Sequence, residues 1–577
     1  MMAENEEDRA FTRDSILDAA RNGELEEHFR QAGLYLEDAE WKAFIATTMD
    51  MQRTGEIDLL CTMADGEGPI DHFAGQLYQV ALPTLDVPAW AMLTAANKVV
   101  ARHDDGAVPY FLFDVVADYC AKDPARVEAA INAIRSGDAP ASLRIATLQA
   151  GLRADRTTYL DCVARTLTTG SDEEAVAAGF VLGTVDAADS TEAKLIADTL
   201  ETAMAGDRSA VRLAGLSAGL SIGTRDPAHE VVALAVIDGI GADVTPEMRK
   251  AVATALFLAR KNPSTELVER MCGILAGTEK EEAETIAAID NAVAQHLTGP
   301  TAAPRLALIE NLLRRGVTRL RKLKTTRHYI ISDKGGLLAT LATDWISDGS
   351  NELIEAVHDL VSAPALDCPT LDLDFGPKLL TVEQTLASAR KVVARLVIHP
   401  VTAASVLLSL LRTGPRDAGA GLEKLLYEPI LLSYWDLGRE YLAEASPTQP
   451  HEVQERITRL IEALDTHVGA IKATGFITEL RPSERHRFLQ QILRLEDNAK
   501  IQKAAQEQSI FADLIPTSVL LYGDSVVSEV HLGDGRTQRT EFRLGVVEHS
   551  IPLATLDAID PVGFWYQRLM LSMGRQP

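Results

Sequence analysis

One kind of chemistry is concentrated between Arg314 and Lys334. Arg314, Arg315, Arg319, Arg321, Lys322, Lys324 and Arg327 lie in this window, and no acid intervenes between Glu310 and Asp333. Clustered guanidinium and ammonium groups can dock phosphate, nucleic acid or an acidic protein partner. The contrast is sharp because the 577-residue chain carries a formal net charge of −27, so its average surface repels nucleic acid and anionic membranes. The same cations are also accounted for by neutralising acidic faces of neighbouring helices. That plainer reading is preferred, because charge runs are generally solvated.

Other chemistry leaves no local trace. There is no Gly-rich phosphate loop ending in Lys-Ser or Lys-Thr, no His-Glu-x-x-His, no Gly-x-Ser-x-Gly and no Cys-x-x-Cys. The thirteen histidines are dispersed, none three or four residues from another. Cys61, Cys120, Cys162, Cys272 and Cys368 lack metal-ligand spacing and read as small buried hydrophobes of a reducing compartment. His103-Asp104-Asp105-Gly106 reads as a polar turn, and Leu371-Asp372-Leu373-Asp374 as part of a connector rather than a cation site. The expectation is therefore a protein without catalytic residues, metal or cofactor. A site assembled from distant segments would leave no such motif.

The elements that position the basic window come from a repeat. Helix starts are marked at Asp123-Pro124, Asp155, Ser190-Thr191, Asp226-Pro227 and Asn262-Pro263, about 31 to 37 residues apart. Side-chain oxygens there accept from first-turn amides, and proline suits the first helical position. Glycines at 137, 170, 206 and 277 are expected to close each first helix. Ser171 with Glu174 and Thr278 with Glu281 fit capping boxes, and Thr245-Pro246-Glu247 supplies cap, proline and early acid. The second helices are rich in alanine and glycine, notably Gly215, Gly219 and Gly223, which lets neighbouring helices approach closely. This stretch resembles the HEAT-like family of α-solenoids by period and capping pattern. The resemblance implies a surface for binding other macromolecules and transfers no catalytic residue.

The expected fold is mainly α: a HEAT-like α-solenoid of antiparallel helix pairs, a second irregular helical block and a small C-terminal β-hairpin unit. Its parts are a helical N-terminal cap at 1–122, the array at 123–316, a connector with the basic stretch at 317–380, a second helical block at 381–512 and a β-rich unit at 513–577. The pattern predicts one amphipathic helix from Pro304 to Lys324, bent or broken at Gly316, and an extended piece at Tyr329-Ile330-Ile331. Tyr427, Tyr434, Trp435 and Tyr441 fall near one stripe of a helix interrupted at Pro429, and Arg481, Arg485, His486 and Arg487 gather at a later helix start. After Pro516 the period becomes 2, with a turn at Gly533-Asp534-Gly535, hairpin arginines at 536, 539 and 543, and Phe564-Trp565-Tyr566 near the end.

The acidic start lacks a signal-peptide pattern, and the apolar stretch Val392–Leu411 contains Arg395, His399 and Pro400, so it reads as two buried helices rather than a membrane span. A cytoplasmic place is expected, and the alanine-rich composition fits a bacterial source. The functional expectation is a scaffold or adaptor that docks a protein partner on a helical surface as a subunit of a larger complex. The alternative is a nucleic-acid-associated factor using the basic stretch.

Overall fold

The computed structural model describes residues 11–66, 70–102, 110–259, 263–294, 296–363, 366, 369–378, 380–475, 482–507, 520–522, 525–532, 536–543 and 554–575. The His103–Gly106, Asn262, Cys368, Arg481 and Gly533–Gly535 readings lie outside them. The chain divides into two compact units, Met1–Asp333 and Lys334–Pro577.

The first unit opens with α1 (Arg13–Asn22), α2 (Leu25–Tyr35), α3 (Asp38–Thr54), α4 (Leu59–Asp65), α5 (His72–Ala81), α6 (Ala89–Ala101) and α7 (Tyr110–Cys120). Helix pairs follow: α8 (Pro124–Ser136) with α9 (Arg144–Ala154), α10 (Arg156–Thr169) with α11 (Asp172–Thr184), and α12 (Ser190–Ala205) with α13 (Ser209–Arg225). Next come α14 (Glu230–Asp238) with α15 (Pro246–Leu258), α16 (Thr265–Leu275) with α17 (Ala283–Ala294), and α18 (Ala302–Arg314) with α19 (Lys324–Ser332). The odd-numbered helices from α3 to α19 touch in succession and form one layer, while α10, α12, α14, α16 and α18 do so in the other. The core lies between the layers, and the succession passes through the region read as a cap.

Local chemistry explains most boundaries. Asp123 accepts the Ala125 amide at 2.9 Å, and Ser171 and Glu174 exchange the two bonds of a capping box. Asp189, rather than Ser190, caps α12 by accepting the Thr191 amide at 2.7 Å, and Ser264 caps α16. Of the glycines expected to close helices, Gly137 takes the left-handed conformation at φ 83°, whereas Gly170 and Gly206 leave their helices in extended backbone. Thr278 makes no capping box, for its buried hydroxyl donates to the Leu275 carbonyl and α17 begins only at Ala283. The helix read from Pro304 to Lys324 is broken at Gly316, which at φ 65° turns the chain out of α18, while the extended reading of Tyr329-Ile330-Ile331 is corrected, for these residues are helical in α19.

Side chains tie each repeat to the next. Arg156 meets Glu192, Arg208 meets Asp172, Arg225 meets Asp186 and Arg249 meets Glu282, at 2.9, 2.5, 3.0 and 2.5 Å. These partners stand 33 to 39 positions apart, which is the repeat period itself. Arg208 and Arg225 also donate to the Gly170 and Thr184 carbonyls, which the ends of α10 and α11 leave without an intrahelical partner.

The second unit contains α20 (Leu337–Asp348), α21 (Asn351–Val361), α22 (Val382–Leu396), α23 (Pro400–Thr413), α24 (Gly419–Leu426), α25 (Trp435–Ala445), α26 (His451–Thr474) and α27 (Glu484–Glu507). Helix α22 is central, touching α20, α21, α23 and α24, and Trp345 is fully buried. The period-length ion pairs recur here, as Arg412 with Asp372 and Arg456 with Glu423, although the apolar pattern alone hid them. Between α24 and α25 the chain makes a π turn at Tyr427–Leu431, closed by the Leu432 amide on the Tyr427 carbonyl at 3.0 Å. Pro429 has no amide to donate there, so the ladder widens instead of breaking.

The stretch read as connector, 317–380, contains α19, α20 and α21, and its residues 369–375 form an extended strap on α23. The amides of Leu371, Leu373 and Phe375 donate to the hydroxyls of Ser405, Ser409 and Thr413 at 2.9, 3.1 and 3.0 Å. Every second residue of extended chain advances about 6.8 Å and every fourth helical residue about 6 Å, so the two rows stay in step over this length. Asp372 is taken by Arg412, and Asp374 accepts the Gly376 amide at 3.0 Å.

Three short antiparallel strands, β1 (Leu520–Tyr522), β2 (Ser525–Leu532) and β3 (Arg536–Arg543), pair in the order β1-β2-β3. The expected C-terminal β-hairpin unit is nevertheless corrected, because the chain is overwhelmingly helical and the strands do not form its end. It continues into α28 (Thr555–Ile559) and α29 (Pro561–Ser572), and α29 packs on α22. Thr555 donates to the Ser433 carbonyl at 3.0 Å, and Arg390 donates to that of Gly574 at 3.0 Å. The aromatic trio is split by the helical period, with Phe564 buried and Trp565 and Tyr566 exposed.

Candidate functional site

The basic stretch is spread over the end of α18, the following turn and the start of α19. Arg314 pairs with Glu310 at 3.4 Å. Arg315 reaches back one repeat, where it donates to the Ala276 carbonyl and stands 3.3 Å from Glu279. Arg319 and Arg321 are exposed and also engaged. Lys322 and Lys324 are exposed and Arg327 half-buried, and the three have no ion pair among the described residues. The start of α19 is closed by Asp290 of α17, whose carboxylate accepts the Thr325 and Thr326 amides at 2.9 and 2.8 Å. A helix N-terminus that would favour an external anion thus already holds an internal one.

Two features escaped sequence reasoning. The first is an apolar groove of about 590 Å³ between α12 and α14, lined by Leu200, Met204, Val231, Val232 and Val236, with Glu201 as its charged member. Val231 is 70% exposed. Gly239 helps keep the wall low, since a Cβ there would meet Met204 Cβ at 3.1 Å.

The second is a cluster of polar side chains in the second unit. Glu355, His358 and Asp359 of α21 bring one ligand-type atom each within 4.8 Å of one another, so among the described residues they are a group suited to holding a metal. Arg395 of α22 pairs with Glu355 at 2.8 Å. Ser362 Oγ lies 3.2 Å from His358 Nε2 and 2.9 Å from Nε2 of His399, the residue before α23. Burial pushes the pKa of His358 below its ordinary value, against the opposing pull of Glu355 and Asp359, and burial does the same to His399. The spacing of 355, 358 and 359 was visible in the sequence, but the fold had to bring His399 to it.

Among the described residues no cysteine thiol joins such a cluster. Cys120 and Cys272 are buried, and burial pushes each thiol up to about 12, so neither is a nucleophile at neutral pH. Among the described residues no helix is long and apolar enough to cross a membrane. No family model, no curated protein and no solved structure matches this chain.

Proposed function

We propose that this chain is a non-catalytic scaffold of HEAT-like helical-repeat type, docking a protein partner as a subunit of a larger assembly. The observation that carries the reading is the α12–α14 groove, where Val231 stands exposed above a floor of buried Leu200, Met204 and Val236. An amphipathic helix fits such a groove, laying its apolar positions between two helices. With Glu201 on its wall in a chain of net charge −27, the partner segment is one flanked by lysine and arginine.

Photo-crosslinking in the native cell tests this. A benzophenone side chain placed at Val231 should give one discrete protein adduct, and one placed at exposed Asp161 of α10 should give none. Ala235→Glu, at an exposed position of the groove, should abolish the Val231 adduct while helix content is unchanged. Equal adducts from both positions, or an adduct insensitive to Ala235→Glu, would overturn the reading.

A further inference from the structure

Positions 355, 358 and 359 share one face of α21, because residues three and four apart are neighbours on a helix. The His358 imidazole is oriented by its far nitrogen, Nε2, through Ser362 to His399. Its near nitrogen, Nδ1, is sealed from solvent, has no hydrogen-bond partner among the described residues and lies 4.0 Å from Asp359 Oδ1. A buried nitrogen without a partner is costly, and a neutral imidazole with its proton on Nε2 turns a lone pair toward a carboxylate. A cation between the two satisfies the nitrogen.

We propose that Glu355, His358 and Asp359 bind a single divalent metal ion of the zinc type. One imidazole with two carboxylates is a mixed nitrogen and oxygen set, which suits zinc and offers calcium or magnesium too few oxygens. Donors about 2.1 Å from a shared ion stand roughly 3.4 Å from one another, so the present spread of up to 4.8 Å closes by side-chain rotation. Arg395 holds Oε2 of Glu355. Ser362 and His399 are positioning residues, because a partner on the far nitrogen decides which nitrogen of His358 faces the ion. The ion enters from solvent past Glu355 and His358, whose side chains are 20% and 24% exposed. This site does not depend on the docking groove.

The test uses the full chain without a histidine tag, stripped with chelator and titrated calorimetrically with zinc chloride. A single saturable site with a micromolar or tighter Kd is expected, weakened about 100-fold by His358→Ala and about 10-fold by Ser362→Ala. Cobalt chloride should give the visible absorption of an ion with few ligands, lost in Asp359→Asn. Should His358→Ala fail to fold by circular dichroism, Glu355→Gln, at a partly exposed position, carries the comparison. No heat beyond dilution, or equal zinc affinity in the parent and Glu355→Gln proteins, overturns the proposal.

Discussion

Arg249 of α15 and Glu282, just before α17, meet at 2.5 Å with side chains only 11% and 8% exposed, joining two repeats through a pair almost withdrawn from water. Removing one member of such a pair leaves the other charged and buried, which costs far more than the intact pair contributes. Arg249→Ala should destabilise the protein by about 3 kcal/mol, read as a lowered urea midpoint. Arg165→Ala, which breaks an exposed pair with Asp161, should cost under about 0.5 kcal/mol.

The same pair sets a pH dependence. Burial raises the Glu282 pKa, but hydrogen bonds from Arg249 and the Glu279 amide more than offset this, so it ends below the ordinary 4.5. The unfolded chain then binds this proton more readily than the folded one. Its contribution is complete above about pH 4.5 and falls as acid is added through the lower folded value. Urea midpoints between pH 6 and 3 should fall less steeply in Glu282→Gln than in the parent protein.

Gly223 of α13 and Gly273 of α16 should respond oppositely to alanine. A Cβ on Gly223 would stand 2.4 Å from Ala233 Cβ and 3.0 Å from its backbone nitrogen, whereas one on Gly273 would meet nothing within 4 Å. Gly223→Ala should therefore lower stability by about 1–3 kcal/mol. Gly273→Ala should raise it by about 0.5–1 kcal/mol, by restricting the unfolded chain. Thermal melts of the two variants decide the point.

The strap on α23 predicts a local effect. Ser409→Ala removes the acceptor of the buried Leu373 amide, at a cost of about 1–3 kcal/mol. Hydrogen exchange should accelerate in a peptide covering 369–376 while α20 stays protected.

Charge reversal separates the members of the basic stretch. Arg315→Glu should lower the melting temperature, since it loses both the Ala276 carbonyl and Glu279. Lys322→Glu with Lys324→Glu should leave it unchanged. Salt-sensitive retention of nucleic acid by the parent protein, lost in that double variant, would give these lysines a binding role.

The sequence carried the helices where a short-range signal exists. Asp123, Ser171 and Thr245 act on amides two or three residues away, so their caps were readable, and the period followed from them. Gly170 marked the end of α10 without the left-handed turn, and Thr278 misled, because glycine and threonine permit a local geometry without requiring it. The ion pairs at repeat spacing, the strap and the link from Ser362 to His399, 37 positions on, depend on which helix lies beside which. Packing decides that, and no window of sequence contains it.

The cross-repeat pairs also bear on how such a chain can change length. Excision of α12 and α13 would leave Arg156, Asp172 and Asp186 behind while deleting Glu192, Arg208 and Arg225, the residues that answer them. The repeats are thus not interchangeable parts: each carries the address of its neighbour in charge. A duplication or loss of one helix pair would leave these charges unanswered at the junction, at a cost of under about 1 kcal/mol for each exposed pair, unless the flanking repeats changed to match.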